Sequence, residues 1–500
     1  MKLLKRIGII DIGSNSIRLV VFDGPKRSPL YLYNEKVFFR LGMLSFGGKP
    51  FDNYTLEAVS RIINRYVAIC RNMEVSKIKM FGTSALREAS NSGALVELIR
   101  KNTNMSVEVI SGKKEAFYAA QGILLGFRNA EGVICDLGGN SVEFAKIGKN
   151  VVTECNSTLL GPLVIKKLEQ KVDNIDSYMR EKLSSVIDAN TTKDKQFFLI
   201  GGSWRAIAKI HMQRVKYPLK IIQGYKVKSR KLKKTLRFIQ DSSFQTEYEV
   251  MNISFERSEL LPQSARLLEI IIDQLQIKTL TFSSFGVREG IIYQHLSETE
   301  KKKDPLIEAA KFFEKKESRF PKLSKHTFNW IGPLCENLPH KTKRIILAAT
   351  KLHDVAWIAH PDYKMEMCLE IVTRSNISGL SHKERVFLAM ILLFRHKAKP
   401  EKIFNSKLFK IVSKKKRKIA FVIGRGLRLA STFFGEKSLF DKIVFRLSAD
   451  KVELCFQSKI DSLYGEVVQR RLQELNKSLK SFSTIKKEKN RSFKKLRRIK

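Results

Sequence analysis

The sequence has few of the features that mark secreted or membrane-spanning proteins. Its six cysteines are scattered and form no C-x-x-C pair, so neither a disulfide framework nor a zinc knuckle is indicated. The apolar run 7–10 is interrupted by Asp11 and is too short for a signal peptide. The longest apolar stretch, Val386–Phe394, is well below the ~20 residues of a spanning helix. We therefore expect a cytoplasmic protein in a reducing compartment, with no membrane insertion.

Acidic residues are also scarce, with 49 Asp and Glu against 93 Lys and Arg and a formal net charge of +44. Such an excess repels itself and favours an anionic partner, which could be nucleic acid, an anionic membrane or a phosphate-rich substrate. A lysine-rich proteome would produce the same excess without such a partner. Basic residues cluster at 228–237, 414–418 and 486–500, and the last cluster predicts a disordered tail.

Two common nucleotide-binding signatures are missing, because neither a Walker A motif nor a Rossmann glycine fingerprint occurs. What the sequence does contain is a duplication. The segments IIDIGSNSIRLVVF and VICDLGGNSVEFAKI both place an apolar strand before an Asp, a glycine turn, Asn-Ser and a second strand. They begin about 125 residues apart, which is typical of a duplicated domain.

Hydrophobic periodicity predicts the surrounding elements. Strands are predicted at 7–10, 17–22, 78–82, 106–110, 132–136, 142–147 and 197–200, and helices at 55–72, 113–127, from Trp204 onward, 341–356 and 384–395. The segment Ser297–Pro305 is polar and is a candidate linker, after which helical periodicity dominates.

The glycine turns suit a phosphate ligand. Glycine lets the backbone turn sharply and approach a ligand closely, and exposed N–H groups in such turns cradle anions. Ser14 and Ser16 add hydroxyl donors. An Asp repels phosphate, so it must act through a divalent cation or by orienting water. One such turn is often an ordinary hairpin, but two matched turns together with Gly201-Gly202 favour phosphate binding.

These motifs resemble the actin-like ATPase superfamily and, within it, the exopolyphosphatase/guanosine-pentaphosphate phosphatase family. The resemblance covers about residues 1–295 and is highly specific. It rests on DIGSNSIRLVVFDG (11–24), GTSALREASNS (82–92), VEVISGKKEAFYAAQG (107–122), DLGGNSVEF (136–144), GGSWRAIAKIH (201–211) and FGVREG (285–290). The segment LHDVAWIAHPDYK (352–364) is similar to the helical third domain of one bacterial branch.

The resemblance implies an α/β fold with duplicated actin-like (ribonuclease H-like) domains, followed by an all-α, HD-like C-terminal domain. The expected domains are 1–130, 131–300 and 306–480, with a basic tail at 481–500. It also implies Mg²⁺ or Mn²⁺ as cofactor and a homodimer.

Site residues follow from the same resemblance. Glu115 would handle the attacking water, since an ionised glutamate can accept its proton. Arg87 and Arg288 would contact phosphate through their planar donor forks. The metal-associated acids would be Asp11, Asp136 and Glu143. The phosphate-loop residues would be Gly13, Ser14, Asn15, Ser16, Gly138, Gly139, Asn140, Ser141, Gly201 and Gly202.

The sequence departs from the family pattern at three positions. Lys114 stands where the family usually has a second acid, Asn140 replaces the third glycine of the second loop, and Val142 replaces the usual next residue. His353-Asp354 suggests an HD-type metal site, with His326, His382 and His396 nearby in sequence, but a final Asp is missing. We interpret that region as a structural helical domain.

The leading hypothesis is an exopolyphosphatase that releases terminal phosphate from inorganic polyphosphate, favoured by the basic surface. The nearest alternative is a guanosine pentaphosphate 5′-phosphohydrolase, because both reactions need the same water, base and metal. A non-catalytic polyanion or RNA binder is the alternative from another class. A sugar or acetate kinase shares the loops but should lack the I-S-G-x-x-E segment.

Overall fold

The structure is a computed structural model, and it describes residues 5–188, 196–241, 258–396, 403, 405–433, 437–448 and 451–488. The chain forms two compact units, Met1–Pro305 and Leu306–Lys500. No helix in the described ranges is long and apolar enough to cross a bilayer.

The first unit alternates strands and helices. Its strands are β1 Ile7–Ile12, β2 Ser16–Phe22, β3 Tyr31–Phe38, β4 Lys77–Gly82, β5 Glu108–Val109, β6 Gly132–Leu137, β7 Val142–Gly148, β8 Val151–Thr158, β9 Gln196–Gly201, β10 Tyr225–Lys228 and β11 Thr279–Phe282. Its helices are α1 Leu41–Leu44, α2 Asn53–Asn72, α3 Ser84–Glu88, α4 Ser92–Thr103, α5 Gly112–Gly126, α6 Pro162–Leu168, α7 Ile175–Ser184, α8 Gly202–Arg214, α9 Ser229–Gln240, α10 Leu261–Gln274, α11 Val287–Gln294 and α12 Glu298–Lys302.

The strands of this unit form two sheets with equivalent topology. Among the described residues, one sheet has the order β3-β2-β1-β4-β5 and the other β10-β11-β9-β6-β7-β8. β1 is antiparallel to β2 and parallel to β4, and β6 is likewise antiparallel to β7 and parallel to β9. The duplication predicted from the two similar segments is therefore confirmed at the level of strand pairing.

Alternation along the central strands sends side chains to different cores. On β1, Ile7 and Ile9 join a core that also contains Ile134 and Phe198 of the second sheet, whereas Ile10 and Ile12 pack towards α2. Successive side chains of a strand point to opposite faces, so a strand covered on both sides is apolar throughout. The two sheets thus share one core, and β1 and β6 bring their carboxyl ends to the same region.

Helices α5 and α11 pack in that shared core with very close backbones. A Cβ on Gly290 would lie 1.8 Å from the carbonyl oxygen of Tyr118, and one on Gly122 would lie 2.2 Å from that of Gly286. Only glycine fits such contacts. This close packing positions Glu115, at the start of α5, and Arg288, at the start of α11, towards the same cleft.

The second unit is mainly helical. Its helices are α13 Pro305–Glu317, α14 Ser324–Trp330, α15 Gly332–Cys335, α16 His340–Leu352, α17 Lys364–Arg374, α18 His382–Arg395, α19 Lys414–Ala430, α20 Ser438–Lys442 and α21 Glu466–Glu488. Short 3-10 turns occur at Phe409–Ile411, Ser431–Phe433 and Ser458–Leu463. The prediction of a helical C-terminal domain is confirmed.

The structure adds a β-hairpin to this unit, which the expectation of an all-α domain did not include. Strands β12 Ile443–Ser448 and β13 Lys451–Phe456 pair antiparallel. The Trp330 indole Nε1 donates a hydrogen bond to the Ile443 carbonyl oxygen at 2.7 Å, and its ring packs edge-on against Phe445. Isolated two-stranded hairpins are only marginally stable in water. We therefore attribute the stability of this hairpin to its packing against Trp330.

Several element boundaries differ from the predicted ones for local reasons. The predicted strand 106–110 is reduced to Glu108–Val109, and the helix predicted from Trp204 begins two residues earlier, at Gly202. The helix predicted over 341–356 ends at Leu352. Part of the candidate linker is helical, as α12. Helix α21 extends to Glu488, into the predicted basic tail, and residues 489–500 lie outside the described ranges.

Candidate active site

The two glycine turns have the same backbone geometry. In the first, the Gly13 N–H donates to the Ser16 carbonyl oxygen at 3.1 Å, and in the second, the Gly138 N–H donates to that of Ser141 at 3.0 Å. In the flanking hairpins, Asp11 lies opposite Arg18 and Asp136 lies opposite Glu143. The repeat detected in sequence is therefore a pair of equivalent turns, each following a buried strand that ends with an Asp.

The turns meet across a cleft with a cavity of about 400 Å³. A Cβ on Gly139 would lie 2.9 Å from the Ser14 Cβ and 3.5 Å from the Asn15 backbone nitrogen, so the two loops are nearly in contact. The predicted site residues that line this cavity are Asp11, Gly13, Ser14, Asn15, Ser16, Glu115, Asp136, Gly138, Gly139, Gly201, Gly202 and Arg288.

The third glycine pair closes one side of the cavity. Gly201 ends β9 with φ of +119°, a conformation that side chains rarely adopt, and a Cβ there would lie 2.5 Å from the Leu137 carbonyl oxygen. Helix α8 begins immediately afterwards at Gly202, so its first backbone N–H groups belong to the cavity wall. Helix N-termini favour anions because these N–H groups lack intrahelical partners.

Glu115 lies in the first turn of α5, which Ser111 caps by accepting a hydrogen bond from the Lys114 N–H at 3.2 Å. Its carboxylate is buried and accepts a hydrogen bond from Arg87 at 3.0 Å. Burial raises the pKa of Glu115 to about 7; Arg87 opposes this rise, while Asp136 and Asp11 add to it. A carboxylate with such a pKa can both accept and release a proton near neutral pH.

Asp11 and Asp136 occupy equivalent positions with different partners. Asp11 accepts a hydrogen bond from the Arg288 guanidinium at 2.9 Å. Burial raises the pKa of Asp11, although the charges of Arg288 and Arg18 oppose the rise. Burial also raises the pKa of Asp136 to about 6, with Arg205 and Arg288 opposing the rise and Asp11 adding to it. The two carboxylates therefore share a site in which negative charge is only partly compensated.

Four of the predicted site residues lie outside the cavity lining. Asn140 and Ser141 are fully buried, and Asn140 Nδ2 donates to the Gly42 carbonyl oxygen at 3.2 Å instead of facing the cleft. Glu143 is buried behind Asp136 and accepts a hydrogen bond from Ser157 at 2.9 Å. Arg87 donates to Glu115 and, at 2.8 Å, to the Ile110 carbonyl oxygen. The side chains of Asn140 and Ser141 are thus not positioned to touch a phosphate.

Glu143 has the most unfavourable electrostatic environment of this group. Burial raises its pKa well above the usual value, and the charges of Glu115 and Asp136 add to the rise. Its Oε2 atom is buried and has no hydrogen-bond partner among the described residues. A carboxylate in that position is favoured when it is protonated or when a cation is bound nearby.

The structure also brings basic residues to the cavity that the sequence analysis did not name. Arg18 on β2, Lys36 on β3 and Arg205 on α8 all line it. For Arg18 a signal was available, because it follows Ser16 by two residues on a strand and so shares its face. Arg205 follows the glycine pair within the first turn of α8. Lys36 lies on β3, outside both loop motifs, so only its pairing opposite Arg18 on β2 reveals it.

Lys114, which stands where the family has an acid, is directed away from this site. Its ammonium group pairs with Glu108, which also pairs with Lys79. The extra positive charge is therefore partly neutralised on the outer side of α5. Its effect on the cleft is correspondingly reduced, so the departure from the family pattern does not remove Glu115 from its position.

The His353-Asp354 pair lies in the second unit and forms an ion-paired cluster. Arg319 donates to Asp354 at 2.6 Å, and an Arg395 nitrogen lies 4.0 Å from the same carboxylate oxygen. Burial lowers the pKa of His353 to about 3, and the Arg395 charge adds to this. Two arginines thus surround the carboxylate that an HD metal site would use. These contacts favour the structural interpretation.

Clusters of three or more metal-ligating side chains are not found among the described residues of either unit. In the cleft, Asp11 and Asp136 both line the cavity, together with Glu115. Mg²⁺ is often held by one or two carboxylates, with substrate phosphates and water completing its octahedral shell. The residues present fit that mode of binding, in which the protein supplies few ligands.

The fold and the cleft define a two-lobed, actin-like α/β protein with paired phosphate-loop turns and a buried carboxylate between them. Sequence comparison then identifies the family. Residues 29–299 match the Ppx/GppA phosphatase family, and residues 318–482 match the description "Exopolyphosphatase, C-terminal". The first match covers more than half of the chain, and the chain belongs to the Ppx/GppA phosphatase family.

Three curated relatives show how activities vary among similar proteins. Retrograde regulation protein 2 of Saccharomyces cerevisiae is 22% identical over 433 residues, covering 78% of this chain and 72% of that protein. Exopolyphosphatase 1 of Mycobacterium leprae is 23% identical over 314 residues, covering 58% and 89%. Guanosine-5′-triphosphate,3′-diphosphate pyrophosphatase of Aliivibrio fischeri is 24% identical over 307 residues, covering 58% and 59%.

A solved structure confirms the fold. The crystal structure of an exopolyphosphatase from Cytophaga hutchinsonii superimposes with a TM-score of 0.50 at 22% sequence identity, covering 58% of this chain and 97% of that one. At this identity the similarity concerns the fold alone. The prediction of duplicated actin-like domains is confirmed.

Proposed function

We propose that this phosphatase-family chain is an exopolyphosphatase, which hydrolyses the terminal phosphate of inorganic polyphosphate in the cleft of the first unit. The observation that carries the proposal is Glu115. Its carboxylate lines the cavity, its pKa is raised to about 7 by burial, and Arg87 holds it in place at 3.0 Å. A base with a pKa near the working pH is the most effective proton acceptor.

In the proposed reaction, Glu115 accepts a proton from a water molecule whose oxygen attacks the terminal phosphorus. The bond between that phosphorus and the bridging oxygen breaks, and the shortened chain keeps the bridging oxygen. Phosphoryl transfer depends mainly on positioning and charge stabilisation. Arg18, Arg205 and Arg288 line the cavity and would stabilise the phosphoryl oxygens, while the two glycine turns would hold adjacent phosphates through their N–H groups.

Mg²⁺ or Mn²⁺ would be held by Asp11 and Asp136, with Glu143 behind them. When bound, the ion supplies charge neutralisation to the phosphate oxygens. The raised pKa values of all three carboxyl groups, caused first by burial, support the need for a cation at this position.

Guanosine pentaphosphate is the second candidate substrate, and the relative from Aliivibrio fischeri supports it. The cleft chemistry is common to both substrates. The net charge of +44 favours the longer polyanion, since binding it to Lys and Arg releases more counterions. The third candidate is a polyanion-binding regulator without catalysis, supported by the long match to a protein named for regulation. Homodimer formation and a cytoplasmic location stay predictions.

The test is phosphate release from equal phosphate equivalents of long-chain polyphosphate and guanosine pentaphosphate in the presence of Mg²⁺. We expect faster release from polyphosphate and complete loss on addition of EDTA. Glu115→Gln should lower the rate by about 10²–10⁴-fold. Glu97→Gln, an exposed carboxylate on α4, is the matched control and should leave the rate unchanged.

Each alternative has its own outcome. Faster release from guanosine pentaphosphate would assign that substrate instead. Absence of release from either substrate, with polyphosphate still bound, would favour the non-catalytic regulator. An undiminished rate in Glu115→Gln would exclude the proposed base.

A further inference from the structure

The first unit contains a second cavity, of about 590 Å³, that shares no lining residue with the cleft. Its walls are α5, the turn between β7 and β8, the end of α11 and the segment that includes α12. The lining residues of different elements include Phe117 and Gln121 on α5, Lys149 on the turn, Tyr293 on α11 and Lys302 on α12. This volume is within the range of small-molecule sites, which is about 300–1,000 Å³.

The charge of this second cavity is strongly positive. Six basic side chains line it against one acidic side chain, Glu298. Lys301 pairs with Glu298 at 2.8 Å and Arg128 pairs with Asp304 at 3.1 Å. In contrast, Lys149 and Lys302 are exposed, and neither forms an ion pair with any residue that the structure describes. An anionic ligand would therefore find one lysine on the turn between β7 and β8 and another on α12, neither of them held in an ion pair with a described residue.

The same cavity has an aromatic component that a simple phosphate chain would not need. Phe117, Phe127 and Tyr293 line it, and Phe117 and Phe127 are only partly buried. Two cations lie near the Tyr293 ring, with Lys301 Nζ 5.5 Å and Arg27 Cζ 5.8 Å from its centroid. Aromatic side chains beside cations are the combination that binds nucleobases and their phosphates.

Gln121 supplies an unsatisfied polar group in the wall. It is 8% exposed, and its Oε1 atom is buried without a hydrogen-bond partner among the described residues. An unpaired buried amide oxygen costs free energy, which a donor on a ligand would recover once the amide turned towards it. Amino and imino groups on the edge of a nucleobase are such donors. Inorganic phosphate chains carry no comparable donor.

Arg27 makes the floor of the cavity rigid. It is 4% exposed and donates to the carbonyl oxygens of Leu125 at 2.5 Å, Leu124 at 2.9 Å and Lys303 at 3.1 Å. The guanidinium thereby joins the C-terminal end of α5 to the segment after α12. The walls that carry the aromatic rings and the lysines are thus held together without a ligand, as a preformed site requires.

We propose that this second cavity binds a nucleoside polyphosphate, with the base against Phe117 and Phe127 and the phosphates between Lys149 and Lys302. The site is independent of the proposed hydrolysis in the cleft. The two sites share two helices, because α5 carries both Gln121 and Glu115, and α11 carries both Tyr293 and Arg288.

The test is calorimetric titration of the full chain with the non-hydrolysable analogues GMPPNP and AMPPNP, and with tripolyphosphate as the ligand that lacks a base. Lys149→Glu/Lys302→Glu should weaken analogue binding by at least tenfold. Lys231→Glu/Lys234→Glu makes the same change in net charge on the exposed face of α9 and should alter binding by less than twofold. Gln121→Leu should weaken the analogues but not tripolyphosphate.

The cleft provides the decisive control. Arg288→Ala removes a cleft arginine and should leave analogue binding at the second cavity intact. Loss of analogue binding in Arg288→Ala alone would place the nucleotide in the cleft and overturn the proposal. Equal losses in both lysine pairs would also overturn it, as would a Gln121→Leu variant that binds the analogues as tightly as the unaltered chain. None of these readouts requires phosphatase activity, so failure of the proposed function would not produce them.

Discussion

The two glycine turns of the cleft begin from nearly the same sequence and end with different roles. GSNS at 13–16 and GGNS at 138–141 form the same hydrogen-bonded turn after equivalent strands. In the first turn, Ser14 and Asn15 line the cavity, and the Asp that precedes it is paired with Arg288. In the second, only the glycines reach the cavity, and Asn140 is bound to Gly42 and Glu88.

The difference shows that two copies of one motif can take different roles, one lining the cavity with its side chains and the other bonding through Asn140 to the segment around α1. The second turn can lie close to the first because Gly139 has no side chain, and Asn140 then holds the second turn against the segment around α1. This explains why an asparagine stands where the family has glycine. The Asn140 amide donates hydrogen bonds to the Gly42 carbonyl oxygen and to Glu88, which a glycine could not do. In the first turn, the side chains of Ser14 and Asn15 stay at the cavity.

The largest expected effect concerns the two aspartates. Asp11→Asn and Asp136→Asn should each lower phosphate release by about 10²-fold or more, because both remove charge from the reacting site. Their effects on stability without divalent cations should differ in size. Asp11→Asn removes a buried charge whose pKa is raised, but it also removes the carboxylate bonded to Arg288, so the two effects largely cancel and the local unfolding free energy should change by less than ~1 kcal/mol.

Asp136→Asn should instead raise that free energy, by ~1–3 kcal/mol at pH 8, because it removes a charge whose pKa is raised to about 6 by burial. Hydrogen exchange of the β1 and β6 amides in EDTA measures both changes. Equal increases in the two variants would show that the aspartates are electrostatically equivalent and would contradict the distinction between the two turns.

The next effect separates the two asparagines. Asn140→Ala should destabilise the first unit by ~1–3 kcal/mol, because the Gly42 carbonyl oxygen and Glu88 lose a buried donor. Asn15→Ala should change stability by less than ~0.5 kcal/mol and raise KM for polyphosphate, because Asn15 lines the cavity. Thermal unfolding and steady-state kinetics of both variants test this. A stable Asn140→Ala protein would contradict the structural role.

The smallest effect is expected at the serines. Ser14 lines the cavity and its hydroxyl lies 2.7 Å from that of Ser84, whereas Ser141 is fully buried outside the lining. We expect Ser14→Ala to raise KM about two- to tenfold with kcat unchanged, which corresponds to about 1 kcal/mol of binding. Ser141→Ala should leave KM unchanged. A KM increase in Ser141→Ala alone would reverse the assignment of the two turns.

Most of the fold could be predicted because the signals are local. The apolar strand, Asp and glycine turn recur in order, and the nearly continuous burial of β1 and β6 follows from their nearly continuous apolar residues. The helix over 55–72 was predicted from its apolar spacing and is observed as Asn53–Asn72. The hairpin of the second unit was missed, because its stability depends on Trp330, more than 100 residues earlier in the chain.

The candidate site was predicted less completely than the fold. The loops and Glu115 have local motifs, but Lys36 does not, since it reaches the cavity through pairing of β3 with β2. The orientation of Asn140 could not be predicted either. It depends on Gly42, which lies nearly 100 residues away and which only folding brings within hydrogen-bond distance.

The sequence by itself determined the duplicated architecture, the phosphate turns and the candidate base, because each depends on residue types at short, fixed spacings. Only the tertiary structure decided which members of those motifs face the cleft, how their charges are compensated, and that a second basic and aromatic cavity exists. These properties depend on distances between residues remote in the chain. Burial and mutual repulsion, which raise the pKa of Glu115 to about 7, arise only when those residues are brought together.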